Sequence, residues 1–116
     1  MLVGAAIIVM IMTGCEKYVI ESTEINPDDT RSFATDILPI FAKNGCTACH
    51  GGGIKPDLRP DKAYDALISG GFINTDKPKS SKLYNQLVNK ASHQPKTSVD
   101  EEKYILYWIT QGAENN

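Results

Sequence analysis

The chain has 116 residues, with 12 lysines and arginines against 14 aspartates and glutamates, and a formal charge of −2. This length allows one small domain, and it excludes two-domain enzymes, long coiled coils and proteins with several membrane spans. The acidic balance argues against a nucleic-acid-binding protein, which would usually be strongly basic. A domain of this size buries only about two thirds of its unfolded surface, so a disulfide, a metal or a large cofactor often adds stability.

An apolar run from Leu2 to Met12, interrupted only by Gly4, opens the chain. The run is shorter than the roughly 17–25 residues that cross a bilayer as a helix, so we interpret residues 1–14 as a signal peptide. It ends in Met12-Thr13-Gly14-Cys15, which resembles a bacterial lipobox, where small residues precede a cysteine that is lipidated on its thiol. Cys15 is therefore the predicted membrane anchor, and the domain behind it is expected in the bacterial cell envelope, outside the cytoplasm.

A polar, acidic stretch follows, and we predict that residues 15–31 form a tether between the anchor and a domain at 32–116. The stretch leaves residues 1–14 nothing to pack against, which disfavours the alternative of a buried helix in a cytosolic domain. Because all three methionines, Met1, Met10 and Met12, lie in the predicted signal peptide, the mature chain would contain no thioether.

The first of four predicted helices precedes the cysteine pair. Thr35 or Asp36 is the predicted N-cap, and Pro39 then falls in the first turn, where its missing N–H costs little. The expected apolar face of this helix comprises Phe33, Ile37, Ile40 and Phe41.

Three further helices are predicted after the cysteine pair. The second runs from about Asp61 to Ile68 and ends at Gly70-Gly71, and the third runs from about Ser81 to Val88. The last begins at the capping box Ser98-Val99-Asp100-Glu101 and ends before Gly112. Because no segment of the domain alternates as a strand does, the predicted fold class is all-α with long loops. The apolar face of the last helix comprises Tyr104, Ile105, Trp108 and Ile109.

The strongest motif is Cys46-Thr47-Ala48-Cys49-His50, the C-x-x-C-H sequence of covalent haem attachment. Two thiols three positions apart on a helical turn can both reach the vinyl groups at one haem edge, and the adjacent histidine can then ligate the iron. Haem is attached in this way outside the bacterial cytoplasm, which agrees with the predicted export signal. The predicted cofactor is therefore haem c, with His50 as the proximal ligand.

The cysteine pair has two other possible interpretations. A thioredoxin-like dithiol uses the same C-x-x-C spacing but needs a βαβ context, and no strand is predicted before Cys46. A disulfide or zinc site could recruit Cys46, Cys49 and His93, yet adjacent ligands at Cys49 and His50 would be badly placed for a tetrahedron.

The stretch from Phe33 to Ala113 resembles a bacterial class I mono-haem cytochrome c domain. This resemblance implies a cytochrome c fold of about four short helices and long loops around one covalently bound haem, with the first and last helices crossing near Phe41 and Trp108. Besides Cys46 to His50, the matching elements are Asp36-Ile37-Leu38-Pro39-Ile40, Pro56-Asp57-Leu58, Ser81-Lys82-Leu83-Tyr84, Trp108-Ile109 and Gln111-Gly112-Ala113.

The resemblance also implies roles for residues around the haem. The Pro56 carbonyl should accept the Nδ1 proton of His50, which fixes the tautomer that leaves Nε2 for iron. Pro56 and Leu58 are thus predicted to belong to the cofactor site. Independently of the resemblance, the small apolar content of the chain suggests that the haem faces give Phe33, Ile40, Leu58 and Leu83 something to pack against.

The chain departs from this family at the sixth iron ligand. Such cytochromes usually place a methionine before a proline between the third and last helices, whereas here the segment reads Ser92-His93-Gln94-Pro95. Either His93 ligates after a one-residue shift, or Gln94 ligates weakly, or the position holds water or nothing. Loss of methionine ligation predicts a lower reduction potential.

The resulting prediction is a membrane-anchored cytochrome that exchanges single electrons with redox partners and transforms no substrate. A haem sensor or peroxidase-like protein with an open distal site is the alternative. Five lysines and no acidic residue occupy the segment 77–99, whereas the segment from Glu16 to Asp36 is net acidic. A lysine-rich rim would steer an acidic redox partner, although a merely solvated face fits equally well. The five lysines are Lys77, Lys79, Lys82, Lys90 and Lys96.

Overall fold

The computed structural model describes residues 25–90 and 95–116, and this part of the chain is helical with no strand. The all-α class is therefore confirmed for these two ranges. Helix α1 spans Leu38–Lys43, α2 spans Ala63–Ser69, α3 spans Lys82–Val88 and α4 spans Val99–Thr110. A π-helical turn, Phe33–Ile37, runs directly into α1, and short 3-10 turns lie at Cys46–Ala48 and Pro78–Ser80.

Several predictions from the sequence fall on other residues. The signal peptide 1–14, the lipidated Cys15 and both distal ligand candidates, His93 and Gln94, lie outside the described ranges. Within 25–90 and 95–116, no helix is long and apolar enough to cross a membrane.

The first helical segment begins earlier than predicted. Its N-cap is Ser32, whose Oγ accepts a hydrogen bond from the Thr35 backbone N at 3.2 Å, while the Ser32 N donates to Asp36 Oδ2 at 2.8 Å. The prediction of Thr35 or Asp36 as the N-cap was therefore wrong. Both residues lie inside the helical segment and form hydrogen bonds with Ser32, which is the N-cap. Pro39 follows the wide π-helical turn, which accommodates a residue without an N–H inside a continuous helical segment.

The other helix boundaries agree with the sequence. Helix α2 ends at Gly70, and Gly71 adopts a φ of 73°, a left-handed conformation that glycine reaches without strain. At the start of α4, the Ser98 Oγ accepts from the Glu101 N at 3.2 Å and the Ser98 N donates to Glu101 Oε2 at 2.8 Å. The predicted capping box is thus confirmed.

An aromatic cluster joins both ends of the domain. The ring of Phe33 lies 5.1 Å from that of Trp108 and 5.2 Å from that of Tyr64. The polar ends of these rings are also satisfied, because Trp108 Nε1 donates to the Glu114 carbonyl and Tyr64 Oη donates to the Ala113 carbonyl, both at 2.9 Å. The resemblance placed the helix crossing near Phe41, whereas the observed ring contact of Trp108 with this segment is at Phe33.

The side chains that we expected haem to cover are already buried by the chain itself. The solvent exposure that remains is 3% for Phe33, 5% for Ile40, 5% for Leu58 and 6% for Leu83. Phe33 reaches this burial against Trp108 and Tyr64. These four residues belong to one buried apolar cluster of the chain, and the expectation that a haem face also packs against them stays a prediction.

We predict that Trp108→Ala lowers the free energy of unfolding by about 3–5 kcal/mol, because Trp108 is 1% exposed and its removal leaves a cavity beside Phe33. Urea unfolding followed by circular dichroism measures this loss. The control is Lys103→Ala, an exposed position on the same helix, which should change stability by less than about 0.5 kcal/mol. Equal effects of the two substitutions would contradict the assigned packing.

Candidate functional site

The cysteine pair lies on a tight turn directly after α1. Gly45 adopts a φ of 68° and redirects the chain into the 3-10 turn Cys46–Ala48. The Cys46 carbonyl then accepts hydrogen bonds from the backbone N of Cys49 at 3.3 Å and of His50 at 2.9 Å. The backbone therefore holds both cysteines and the histidine together within one turn.

The two thiols have different surroundings. Neither Cys46 nor Cys49 forms a disulfide; Cys46 is half-buried against the hydrophobic core, whereas Cys49 is exposed. Burial raises the pKa of the Cys46 thiol, and the nearby negative charge of Glu101 adds to this effect. Cys46 is therefore the more protected thiol.

His50 is oriented by the loop that follows it. Its Nδ1 lies 3.0 Å from the Pro56 carbonyl oxygen and 3.3 Å from that of Ile54. The Leu58 N also donates to the His50 carbonyl at 2.7 Å. Because carbonyl oxygens only accept, Nδ1 is the donor in these contacts, and in a neutral ring this tautomer would leave the lone pair on Nε2. The hydrogen bond to Pro56 that the resemblance implied is present.

Glycine is needed where this loop passes the cysteine turn. A Cβ at Gly51 would lie 2.6 Å from the Thr47 carbonyl oxygen, closer than any side chain tolerates. Farther along the loop, the guanidinium of Arg59 binds the Asp57 carboxylate, with Nη2 2.6 Å from Oδ2. The hydrogen bonds from Arg59 lower the pKa of Asp57. The loop that carries Pro56 and Leu58 therefore follows a defined course around His50.

Glu101 links the start of α4 to the end of α1. Its carboxylate accepts hydrogen bonds from Lys43 Nζ at 2.7 Å, from Asn44 Nδ2 at 3.2 Å and from the Ser98 N at 2.8 Å. Burial alone would raise the pKa of Glu101, but these hydrogen bonds outweigh it and hold the pKa below its ordinary value. Since Asn44 stands two residues before Cys46, this carboxylate fixes the point from which the cysteine turn starts.

A second carboxylate links α3 to α4. Lys90 Nζ forms an ion pair with Glu102 and donates to the Thr97 carbonyl at 3.1 Å, while Thr97 Oγ1 donates to Glu102 Oε1 at 3.0 Å. The Lys90 side chain keeps 47% of its exposure in this contact, and its place in a lysine-rich rim stays a prediction. Residues 90 and 97 are the two ends of the connection in which His93 and Gln94 occur.

The structure thus brings Cys46, Cys49, His50 and Pro56 into one site, with Leu58 buried behind it. Among the residues described, no three His, Cys, Asp or Glu side chains form a group that could hold a metal ion. The zinc reading also required His93, which lies outside those residues. Sequence reasoning missed Glu101 as a support of the site, because the capping-box pattern predicts only the local hydrogen bonds between Glu101 and Ser98.

No protein-family model, curated protein or solved structure matches the chain.

We predict that iodoacetamide modifies Cys49 roughly ten times faster than Cys46 at pH 8 in protein without attached haem, because the exposed thiol is reached first and the buried one resists ionisation. Mass spectrometry of the digested protein measures both rates. In urea the two rates should converge, and equal rates in the folded protein would contradict the difference in burial.

We predict that Glu101→Gln lowers the free energy of unfolding at pH 7 by about 1–3 kcal/mol, because the hydrogen bonds lose their charge. The folded-state pKa of Glu101 lies below its ordinary value of 4.5, so the stability that it confers is complete above about pH 4.5 and is lost as the pH falls through the folded-state pKa. Urea unfolding from pH 3 to 7 should show the two proteins converging in acid. Exposed Glu114→Gln is the control, and a pH-independent difference would contradict this account.

Proposed function

We propose that this protein is a c-type cytochrome that carries single electrons between redox partners in the bacterial cell envelope. Cys46 and Cys49 would hold haem c covalently, and His50 would be the proximal iron ligand. The observation that carries the proposal is the hydrogen bond between His50 Nδ1 and the Pro56 carbonyl, because His50 directly follows two unpaired thiols on the same turn. When bound, haem supplies a one-electron couple between ferric and ferrous iron.

The thiols fit covalent attachment. Both are unpaired, and they stand on the same 3-10 turn, so that two thioether bonds to neighbouring vinyl groups need no disulfide to be broken. Haem attachment is also supported by the all-helical character of residues 25–90 and 95–116, since a thioredoxin-like dithiol expects a βαβ context.

The histidine fits proximal ligation. A neutral imidazole binds iron through a nitrogen lone pair, and a hydrogen bond at the other nitrogen fixes the tautomer and the orientation of the ring. The Pro56 carbonyl provides this second bond for His50. Beside it, Ile54 keeps 56% of its exposure and offers an apolar side chain that a haem face could cover.

The helical architecture supports a cytochrome c fold. The helical segment that leads into the cysteines contacts the last helix through Phe33 and Trp108, and the turn with the cysteines follows directly. These features agree with the implied order of elements, and we propose the cytochrome c fold on that basis. The export signal and the lipidated Cys15, read from the sequence, would then anchor this domain to a membrane and expose it to envelope redox proteins, including partners with an acidic surface.

The distal position distinguishes two forms of the proposal. The mature chain would contain no methionine, so His93 or Gln94 remains the predicted sixth ligand, with water or vacancy as the other possibility. A firm His93 ligand favours a dedicated electron carrier. A weak or vacant position would favour a haem sensor or a peroxidase-like protein, and the lack of a methionine beyond residue 12 is the observation behind this second candidate.

The experiment is an absorption spectrum of the dithionite-reduced protein, matured with haem-attachment machinery, before and after carbon monoxide. We expect the spectrum of a c-type cytochrome. Cys46→Ala and Cys49→Ala should each alter this spectrum, and the double substitution should leave no covalently bound haem. Protein that matures without any covalent haem would contradict the proposal.

The same spectra separate the two forms. Bands that carbon monoxide leaves unmoved, and that His93→Ala renders sensitive to the gas, identify His93 as a firm ligand. A prompt shift in the unchanged protein identifies a weak or vacant position and favours the sensor or peroxidase reading. Gln94→Ala is the matched control for the neighbouring position.

A further inference from the structure

An apolar groove runs between the outer side of α4 and the 3-10 turn Pro78–Ser80, and its volume is about 540 Å³. On α4, Thr110 lies three residues after Tyr107 and four after Leu106, so the three share one stripe of the helix. The Thr110 hydroxyl donates to the Leu106 carbonyl at 2.8 Å. Because this hydroxyl is satisfied within the helix, the stripe offers the groove a mainly apolar surface.

The opposite wall of the groove is held in place by its own hydrogen bonds. Asn74 Oδ1 accepts from the Lys77 N at 2.9 Å, and the Asn74 N donates to Ser81 Oγ at 2.9 Å. From α3, Asn85 Nδ2 donates to the Lys79 carbonyl at 3.0 Å. A wall fixed in this way needs little further ordering when a partner binds, which favours affinity.

Positive charge surrounds the groove in a chain whose formal charge is −2. Lys77 and Lys79 are exposed and line it, and no Asp or Glu occurs among the described residues of the lining. Lys103, also exposed, lies four residues before Tyr107 and therefore at the start of the same stripe. The stripe, the 3-10 turn and these three lysines together form what we call the basic groove.

Charge and shape favour an acidic polypeptide as the occupant. Carboxylates complement the lysines, and an apolar side chain removes the floor of the groove from water. A membrane surface fits less well, because lipid binding uses apolar side chains that reach into the bilayer. Here Pro78, Leu106 and Tyr107 are half-buried at the floor of a concave surface.

We propose that the basic groove docks a segment of a partner protein in which an apolar side chain lies between carboxylates. The apolar side chain packs against Leu106 and Tyr107, and the carboxylates face Lys77 and Lys79. The described lining includes no residue of the segment 46–58, so docking uses a different part of the surface from the cysteine turn and the His50 loop. The proposal rests on the groove alone and does not depend on haem.

The first test selects peptides from a random library displayed on phage. The target is the mature chain with Cys15→Ser, which prevents lipidation. We expect the enriched peptides to carry Asp or Glu on both sides of an apolar residue, and a synthetic copy should shift the amide resonances of Leu106, Tyr107 and Thr110 in NMR spectra. A selection that enriches no acidic peptide, or resonance shifts confined to other residues, would overturn the proposal.

The charges provide a second test. Lys77→Glu with Lys79→Glu should weaken binding of the same peptide by about tenfold or more, because attraction is replaced by repulsion. The control is Lys55→Glu with Lys82→Glu, which makes the same change of net charge at exposed positions outside the groove lining. Since distant charges are screened by salt, the control should change the affinity by less than about threefold. Equal losses in the two variants would overturn the proposal.

Two other occupants have different signatures. Binding to phosphatidylglycerol vesicles that Lys77→Glu with Lys79→Glu abolishes would assign the basic groove to a membrane surface, and self-association that the same substitutions abolish would assign it to a second copy of the chain. Either result would overturn the proposal. Peptide binding is measured without reference to haem, so a failure of haem attachment would contradict the proposed function and leave this proposal standing.

Discussion

The geometry of the site depends on the hydrogen bonds that the Glu101 carboxylate accepts. It caps α4 through Ser98 and, across the domain, binds Lys43 and Asn44 at the end of α1. The cysteine turn begins two residues after Asn44, so its starting point is fixed by a group on another helix. A buried carboxylate is costly unless its oxygens are satisfied, and here three donors satisfy them. The same carboxylate therefore completes the capping box of α4 and supports the site from across the domain.

The helices of this small domain are short, and packing rather than intrinsic helix propensity holds them in place. Trp108 illustrates this, since one indole contacts two aromatic rings and also hydrogen-bonds the C-terminal segment through Glu114. The aromatic cluster thereby ties the helical segment before the cysteines to the last helix and to the C-terminal segment.

Local signals in the sequence predicted local structure well. Ser98 and Glu101 are three residues apart, and their capping box follows from helix geometry alone. The first cap was misplaced because Thr35 and Asp36 also suit an N-terminal turn. The observed cap, Ser32, bonds to both of them and is also tied to the C-terminal residue Asn116, which lies 84 positions away and cannot be read from local spacing. The contact between Lys43 and Glu101 joins residues 58 positions apart, and no periodicity records such a pair. The bond from His50 to Pro56 was foreseen through family resemblance, not through spacing.

The ion pair of Lys90 with Glu102, reinforced by Thr97, joins the residues on either side of the connection between α3 and α4. When the ends of a loop are held together in this way, the entropy of closing it depends only weakly on its length, by about 0.6 kcal/mol for each doubling. Lys90 and Thr97 therefore set where the chain leaves the helical domain and where it returns, and this clasp is independent of how many residues the connection contains.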